Sequence, residues 1–104
     1  MWEEIIKSFT ENPRDVCSNP ITKRAKLWFR VYVEKGKLYV DRAKTQTPSS
    51  NITQRRMLSS SPEKCEIMYD IYKRRKCGES VSAEATVTTV NQIYWYGIFA
   101  DMGY

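Results

Sequence analysis

The first apolar positions fall at Trp2, Ile5, Ile6 and Phe9, with Glu3, Glu4, Lys7 and Glu11 between them. That i, i+3, i+4, i+7 spacing predicts an amphipathic helix from Trp2 to Asn12, whose early glutamates suit the positive end of its dipole. Pro13 ends it, because the residue before a proline is pushed out of the helical region. Residues 13–26 have no period and read as irregular, with Pro20 and the basic group Lys23, Arg24 and Lys26. The pattern then switches to alternation. Leu27–Val33 and Leu38–Ala43 are β-branched and aromatic, and Glu34-Lys35-Gly36-Lys37 separates them as a turn, so a β-hairpin is predicted. Setting Val33 opposite Leu38 places Val31 opposite Val40 and Arg30 opposite Asp41. One face then carries Phe29, Val31, Val33, Leu38 and Val40 and belongs to the core. The other carries Trp28, Arg30, Tyr32, Tyr39 and Asp41.

Residues 45–62 are polar and rich in Ser, Thr, Asn and Gln, a functional or mobile loop unless Asn51–Leu58 pairs as a third strand. Ser59-Ser60-Ser61-Pro62-Glu63 is a helix start, with Ser60 or Ser61 as cap and Pro62 in the first turn. That helix is expected to reach about Lys76, to bury Ile67, Met68, Ile71 and Tyr72, and to stop at Gly78. Beyond it two patterns compete. Val81, Ala83, Ala85 and Val87 alternate as in a strand. Ser82 also suits the cap of a short helix through Ala83-Glu84-Ala85, and Thr89 with Gln92 forms a capping box before Val90, Ile93, Tyr94, Gly97 and Ile98. Two helices are the preferred reading. The expectation is one α+β domain over residues 1–104: an N-terminal helix, a central β-hairpin with or without a third strand, and a helical C-terminal half.

Composition narrows the chemistry. At 104 residues about two-thirds of the unfolded surface can be buried, enough for one unstapled core. No apolar run approaches the roughly 20 residues that span a bilayer, and no signal sequence opens the chain. A cytoplasmic protein without membrane partners is expected. Histidine is absent, which removes His-based acid/base and nucleophile-activating chemistry. Cys17, Cys65 and Cys77 are odd in number and widely spaced, and read as free thiols. Zinc would need a carboxylate as fourth ligand, so neither a metal nor another cofactor is expected.

Charge supplies the positive signal. The net charge is +5, and residues 14–76 hold sixteen of the seventeen Lys and Arg against six acids. Such a concentration suits a polyanion, and nucleic acid, with DNA the first choice, is the expected partner. Arg55 and Arg56 in the polar segment and Lys73, Arg74, Arg75 and Lys76 at a helix end are candidate phosphate contacts. On the hairpin, Trp28, Tyr32 and Tyr39 beside Arg30 are similar in type to a stacking platform for unpaired bases, unless a helix covers that face and makes the hairpin a two-sided core. The stretch from Gly78 through Ser80-Val81, then Thr89 to Tyr94, resembles resolvase-like helix-turn-helix units. That resemblance covers about residues 65–100 and implies a recognition helix on which Asn91 and Gln92 read adenine edges and a regulatory role on DNA. Val87 stands where such a turn carries glycine, and the alternative is an apolar segment that only packs. Trp95, Tyr96 and Phe99 fall on more than one face of any helix there, which motivates a homodimer. Two other function classes stay open. One is a protein-interaction or self-association module without nucleic-acid activity. The other is a small metal-dependent nuclease using Glu34, Asp41, Glu63 and Glu66.

Overall fold

The structure, a computed structural model, describes residues 1–18, 26–81, 83–85 and 91–104. Its elements are α1 (Trp2–Glu11), β1 (Arg14–Cys17), β2 (Trp28–Glu34), β3 (Lys37–Arg42), β4 (Arg56–Ser59), α2 (Pro62–Lys76) and α3 (Gln92–Asp101). Residues 83–85 are helical as well. The strands form one antiparallel sheet in the order β1-β2-β3-β4. This is the expected α+β class with a larger sheet.

The hairpin has the expected register, with Arg30 opposite Asp41, Val31 opposite Val40, Tyr32 opposite Tyr39 and Val33 opposite Leu38. Its two-residue loop is Lys35-Gly36, with φ of 52° and 74°. Two successive left-handed residues make the tight turn whose twist matches that of the flanking strands, and glycine takes the second position without strain. Two strands flank this hairpin. β1 lies in the segment expected to be irregular, where four residues with one buried apolar position, Val16, are too few to show a period. β4 occupies the end of the Asn51–Leu58 segment and pairs with β3 across a register shift between Leu38 and Tyr39.

α1, α2 and α3 lie on the Phe29–Val40 face and share one core with it. Phe29 meets the Tyr94 ring edge-on at 5.0 Å between centroids. α2 begins at the expected Pro62 with Ser61 as N-cap residue. It ends where Gly78 turns left-handed, so that the Glu79 and Gly78 N–H groups donate to the carbonyls of Arg74 and Arg75. Cys65 rather than Ile67 joins Met68, Ile71 and Tyr72 in the core, and Ile67 is half exposed. α3 is the central helix. Tyr94 through Phe99 are all buried, which a helix enclosed by neighbours on all sides requires and which erases the amphipathic period. Trp95 and Phe99 have no exposed surface and Tyr96 very little, so the apolar surplus that motivated a homodimer is absorbed within one copy. α3 starts from Asn91 as N-cap residue. Ser82, Val87, Thr89 and Val90, on which the short-helix cap, the strand pattern and the capping box rest, lie outside the described residues, as do Pro20, Lys23 and Arg24. No described helix is long and apolar enough to cross a membrane.

Candidate functional site

With the described helices all on one face, the alternation of the sheet turns Trp28, Arg30, Tyr32, Tyr39 and Asp41 to the other, where each is half buried. Among the described residues no helix covers this face, so no two-sided core forms over the hairpin there. Cross-strand neighbours on this outer face do the building. Tyr32 and Tyr39 are directly paired and their rings stack 5.5 Å apart at 14°. Arg55, just ahead of β4, lays its guanidinium 4.4 Å from the Tyr39 ring centroid, donates to the Tyr32 hydroxyl at 3.4 Å and ion-pairs with Glu34. A guanidinium on an aromatic face gains from the ring quadrupole while its edge stays available to acceptors. Beside this stack a groove of about 520 Å³ is lined by Pro13, Arg30, Tyr32, Asp41 and Lys44.

One buried carboxylate fixes the wall of that groove. Asp15, on β1 opposite Arg30, has a side chain only 2% exposed. Its Oδ2 accepts the N–H of Thr45 at 2.7 Å, of Gln46 and Lys44 at 2.9 Å each, and the Thr45 hydroxyl at 3.0 Å. Burial works to raise the Asp15 carboxyl, but the N–H groups of Thr45, Lys44 and Gln46 and the Thr45 hydroxyl outweigh it, and the group sits below the ordinary aspartate value. Arg30 Nη1 lies 3.4 Å from the Asp15 Oδ1. Arg30 thus pairs with Asp15 across to β1 rather than with Asp41, which lies opposite it on β3. Asp41 makes no ion pair among the described residues, and its Oδ1 accepts the N–H of Arg42 at 2.7 Å. The loop after β3 continues along the start of β2, where the Trp28 N–H donates to Pro48 and its carbonyl accepts from Ser50, both at 2.9 Å. Trp28 stands apart from the tyrosine stack and lines a smaller cavity of about 250 Å³ with Cys17, Lys26 and Gly97.

The other expected cations do not join this surface. Arg74 is held by three carboxylates, with Nε 3.0 Å from Asp70, Nη1 3.3 Å from Glu79 and Nη2 2.5 Å from Glu84. The Arg74 guanidinium in turn holds the Glu84 carboxyl below the usual glutamate range. Lys73 and Lys76 lie over the rings of Tyr69 and Tyr72 at 4.9 and 5.3 Å, and Lys76 also donates to the Tyr104 carbonyl at 3.1 Å. Arg75 packs 4.2 Å over Tyr96, where burial lowers its pKa and raises that of the Tyr96 hydroxyl. Arg75, Gln92 and Tyr96 share a second groove, of about 340 Å³, with Ser80 and Ile93. Arg56 donates to the Asn91 Oδ1 at 3.4 Å near the start of α3. The nine residues singled out in the sequence thus divide. Arg30 and Arg55 belong to the outer face, Lys73, Arg74, Arg75 and Lys76 to the last turn of α2, and Arg56, Asn91 and Gln92 to the region where α3 begins.

This division bears on two sequence expectations. A recognition helix needs a free face, and α3 has six consecutive buried residues, so the resemblance to helix-turn-helix units gains no support from its placement. Among the described residues no three Cys, Asp or Glu side chains converge on a metal position, which includes the acids of the nuclease reading. Glu34 is engaged by Arg55 instead. Sequence reasoning missed Asp15, Pro13 and Lys44. Asp15 meets backbone groups about thirty positions away, and no side-chain motif announces such a contact. In comparison with known proteins the chain matches no protein-family profile, no curated protein and no solved structure.

Proposed function

We propose that this chain is a small nucleic-acid-binding module that takes a single strand on the open face of its sheet. The observation that carries the reading is the row Arg55–Tyr39–Tyr32 on the sheet face turned away from the described helices, beside a groove bordered by Arg30 and Lys44. Unpaired bases stack on aromatic faces at about 1–3 kcal/mol each, and neighbouring cations follow the phosphates. The sequence expectation of charge neutralisation spread over Arg55, Arg56, Arg74 and Arg75 gives way to stacking on this face, with Arg30, Arg55 and Lys44 as the cations that serve it. A duplex hides its base faces, so a single strand is the ligand that exploits this surface.

The test is fluorescence anisotropy of a labelled single-stranded oligonucleotide, with DNA and RNA arms, at low and high salt. Binding is expected to weaken as salt rises and to fall by about five- to 150-fold in Tyr32→Ala, the equivalent of one lost stacking contact. Arg74→Ala, whose guanidinium is already held by three carboxylates, is expected to bind like the parent protein. Equal loss in Arg74→Ala and Tyr32→Ala, or no retention of any oligonucleotide at low salt, would overturn the proposal.

A further inference from the structure

The groove beside Tyr32 contains a charge that a phosphate-binding surface does not call for. Of its five lining residues Arg30 and Lys44 are cationic, Pro13 and Tyr32 offer apolar surface, and Asp41 is acidic. The Asp41 carboxylate is anchored on its strand by the Arg42 N–H and makes no ion pair among the described residues, because Arg30 turns to Asp15. A carboxylate beside a polyanion site repels phosphate, whereas it can accept hydrogen bonds from a base edge. A carboxylate has two acceptor oxygens in a plane and matches two parallel N–H donors. Among the bases only guanine offers that pair, N1–H and the N2 amino group, on its Watson–Crick edge, and next to them it places the O6 acceptor. Adenine and cytosine offer one amino group beside an acceptor nitrogen, and thymine and uracil offer one N–H between two oxygens.

Resting on the proposed single-strand function, we infer that this groove is a guanine-selective subsite. The Asp41 carboxylate accepts N1–H and N2–H, Arg30 or Lys44 donates to O6, and the Tyr32–Pro13 side supplies the apolar contact for the ring. No covalent step is involved. Specificity comes from the mismatch of Asp41 with every other edge, since an acceptor nitrogen or carbonyl set against the carboxylate leaves it unpaired or repelled.

The experiment compares a thymine oligonucleotide with the same oligonucleotide carrying one central guanine, and with a third in which that guanine is replaced by hypoxanthine, which lacks the N2 amino group. The guanine oligonucleotide is expected to bind on the order of tenfold tighter than the thymine one, and hypoxanthine to lose most of that gain. In Asp41→Asn the guanine-to-thymine affinity ratio is expected to fall close to one. The ratio is the readout because removing a negative charge changes affinity for every strand. The hypoxanthine arm uses the unaltered protein and stands even if Asp41→Asn does not fold. Equal affinity for guanine and hypoxanthine, or a ratio unchanged in Asp41→Asn, overturns the guanine assignment while leaving single-strand binding intact. Failure to bind any of the three overturns both.

Discussion

Replacing Asp15 tests whether one carboxylate organises the groove wall. In Asp15→Ala the N–H groups of Lys44, Thr45 and Gln46 lose their shared acceptor and Arg30 loses its ion partner. Hydrogen bonds to a charged group contribute about 1.5–3 kcal/mol each, and removing one member of a buried pair costs about 3–5 kcal/mol. These figures overlap rather than add. Residues 44–46 are exposed, so water can take over their freed donors and the loss falls toward the lower end. We expect about 2–4 kcal/mol, which for a domain of this size lowers Tm by about 10–20 °C. Asp15→Asn keeps an oxygen for the backbone donors but gives up the charge, and about half that loss is expected. The pH dependence has a definite sign. A carboxyl held below its unfolded value adds stability above the ordinary aspartate pKa, and that stability drains away as pH falls through the folded value. The stability gap between the parent protein and Asp15→Asn should therefore be full at neutral pH and close below about pH 4. Urea denaturation followed by tryptophan fluorescence across that range measures it. A loss under 1 kcal/mol in Asp15→Ala, or a gap that widens in acid, would refute the reasoning.

Other expectations follow from the packing. A methyl group on Gly97 would stand 2.8 Å from the Cys17 carbonyl and 2.9 Å from the Phe29 ring, so α3 must shift in Gly97→Ala. Overpacking costs about 1–3 kcal/mol and the gain in helix propensity returns about 1, so thermal denaturation should show a net loss despite the better helix former. Burial pushes the Cys65 thiol up to about 11, while Cys77 is exposed. A thiol reagent at neutral pH should label Cys77 readily in the native protein and reach Cys65 only in denaturant, as mass spectrometry of timed samples would show. The Arg74 cluster lies at the surface, so the stability lost in Arg74→Ala should shrink as salt rises, whereas the loss in Asp15→Ala should change little.

Those contrasts also mark what could be read from the chain. Long periodic segments were legible: α1, the register of β2 with β3, and α2 from Pro62 to Lys76 follow directly from spacing and turn chemistry. β1 was not, because its only inward apolar residue, Val16, gains meaning from pairing with Phe29 on another strand. α3 was readable as a helix but not as the centre of the core, since a helix buried on all sides has no polar stripe to orient it. For the candidate site, alternation placed Tyr32 and Tyr39 on one face with Trp28 and Arg30, but it did not show that Arg55 joins the tyrosines or that Trp28 stands apart. The partners of individual charges were beyond such reasoning. Arg30 pairs with Asp15 on β1 rather than with Asp41 on β3, and Arg74 gathers Asp70, Glu79 and Glu84, because strand pairing and the tertiary fold rather than sequence spacing set which oppositely charged groups meet.

The outer face of the sheet is the centre of the functional account, and its occupancy can be mapped directly. Titrating isotope-labelled protein with a short single-stranded oligonucleotide and following backbone amide resonances should move Arg30, Tyr32, Tyr39, Asp41 and Lys44 together. The amides of Tyr94–Phe99 in the buried helix and of Lys73–Lys76 should stay in place. Shifts confined to the last turn of α2 and the start of α3, or no shift at any oligonucleotide concentration, would contradict the account.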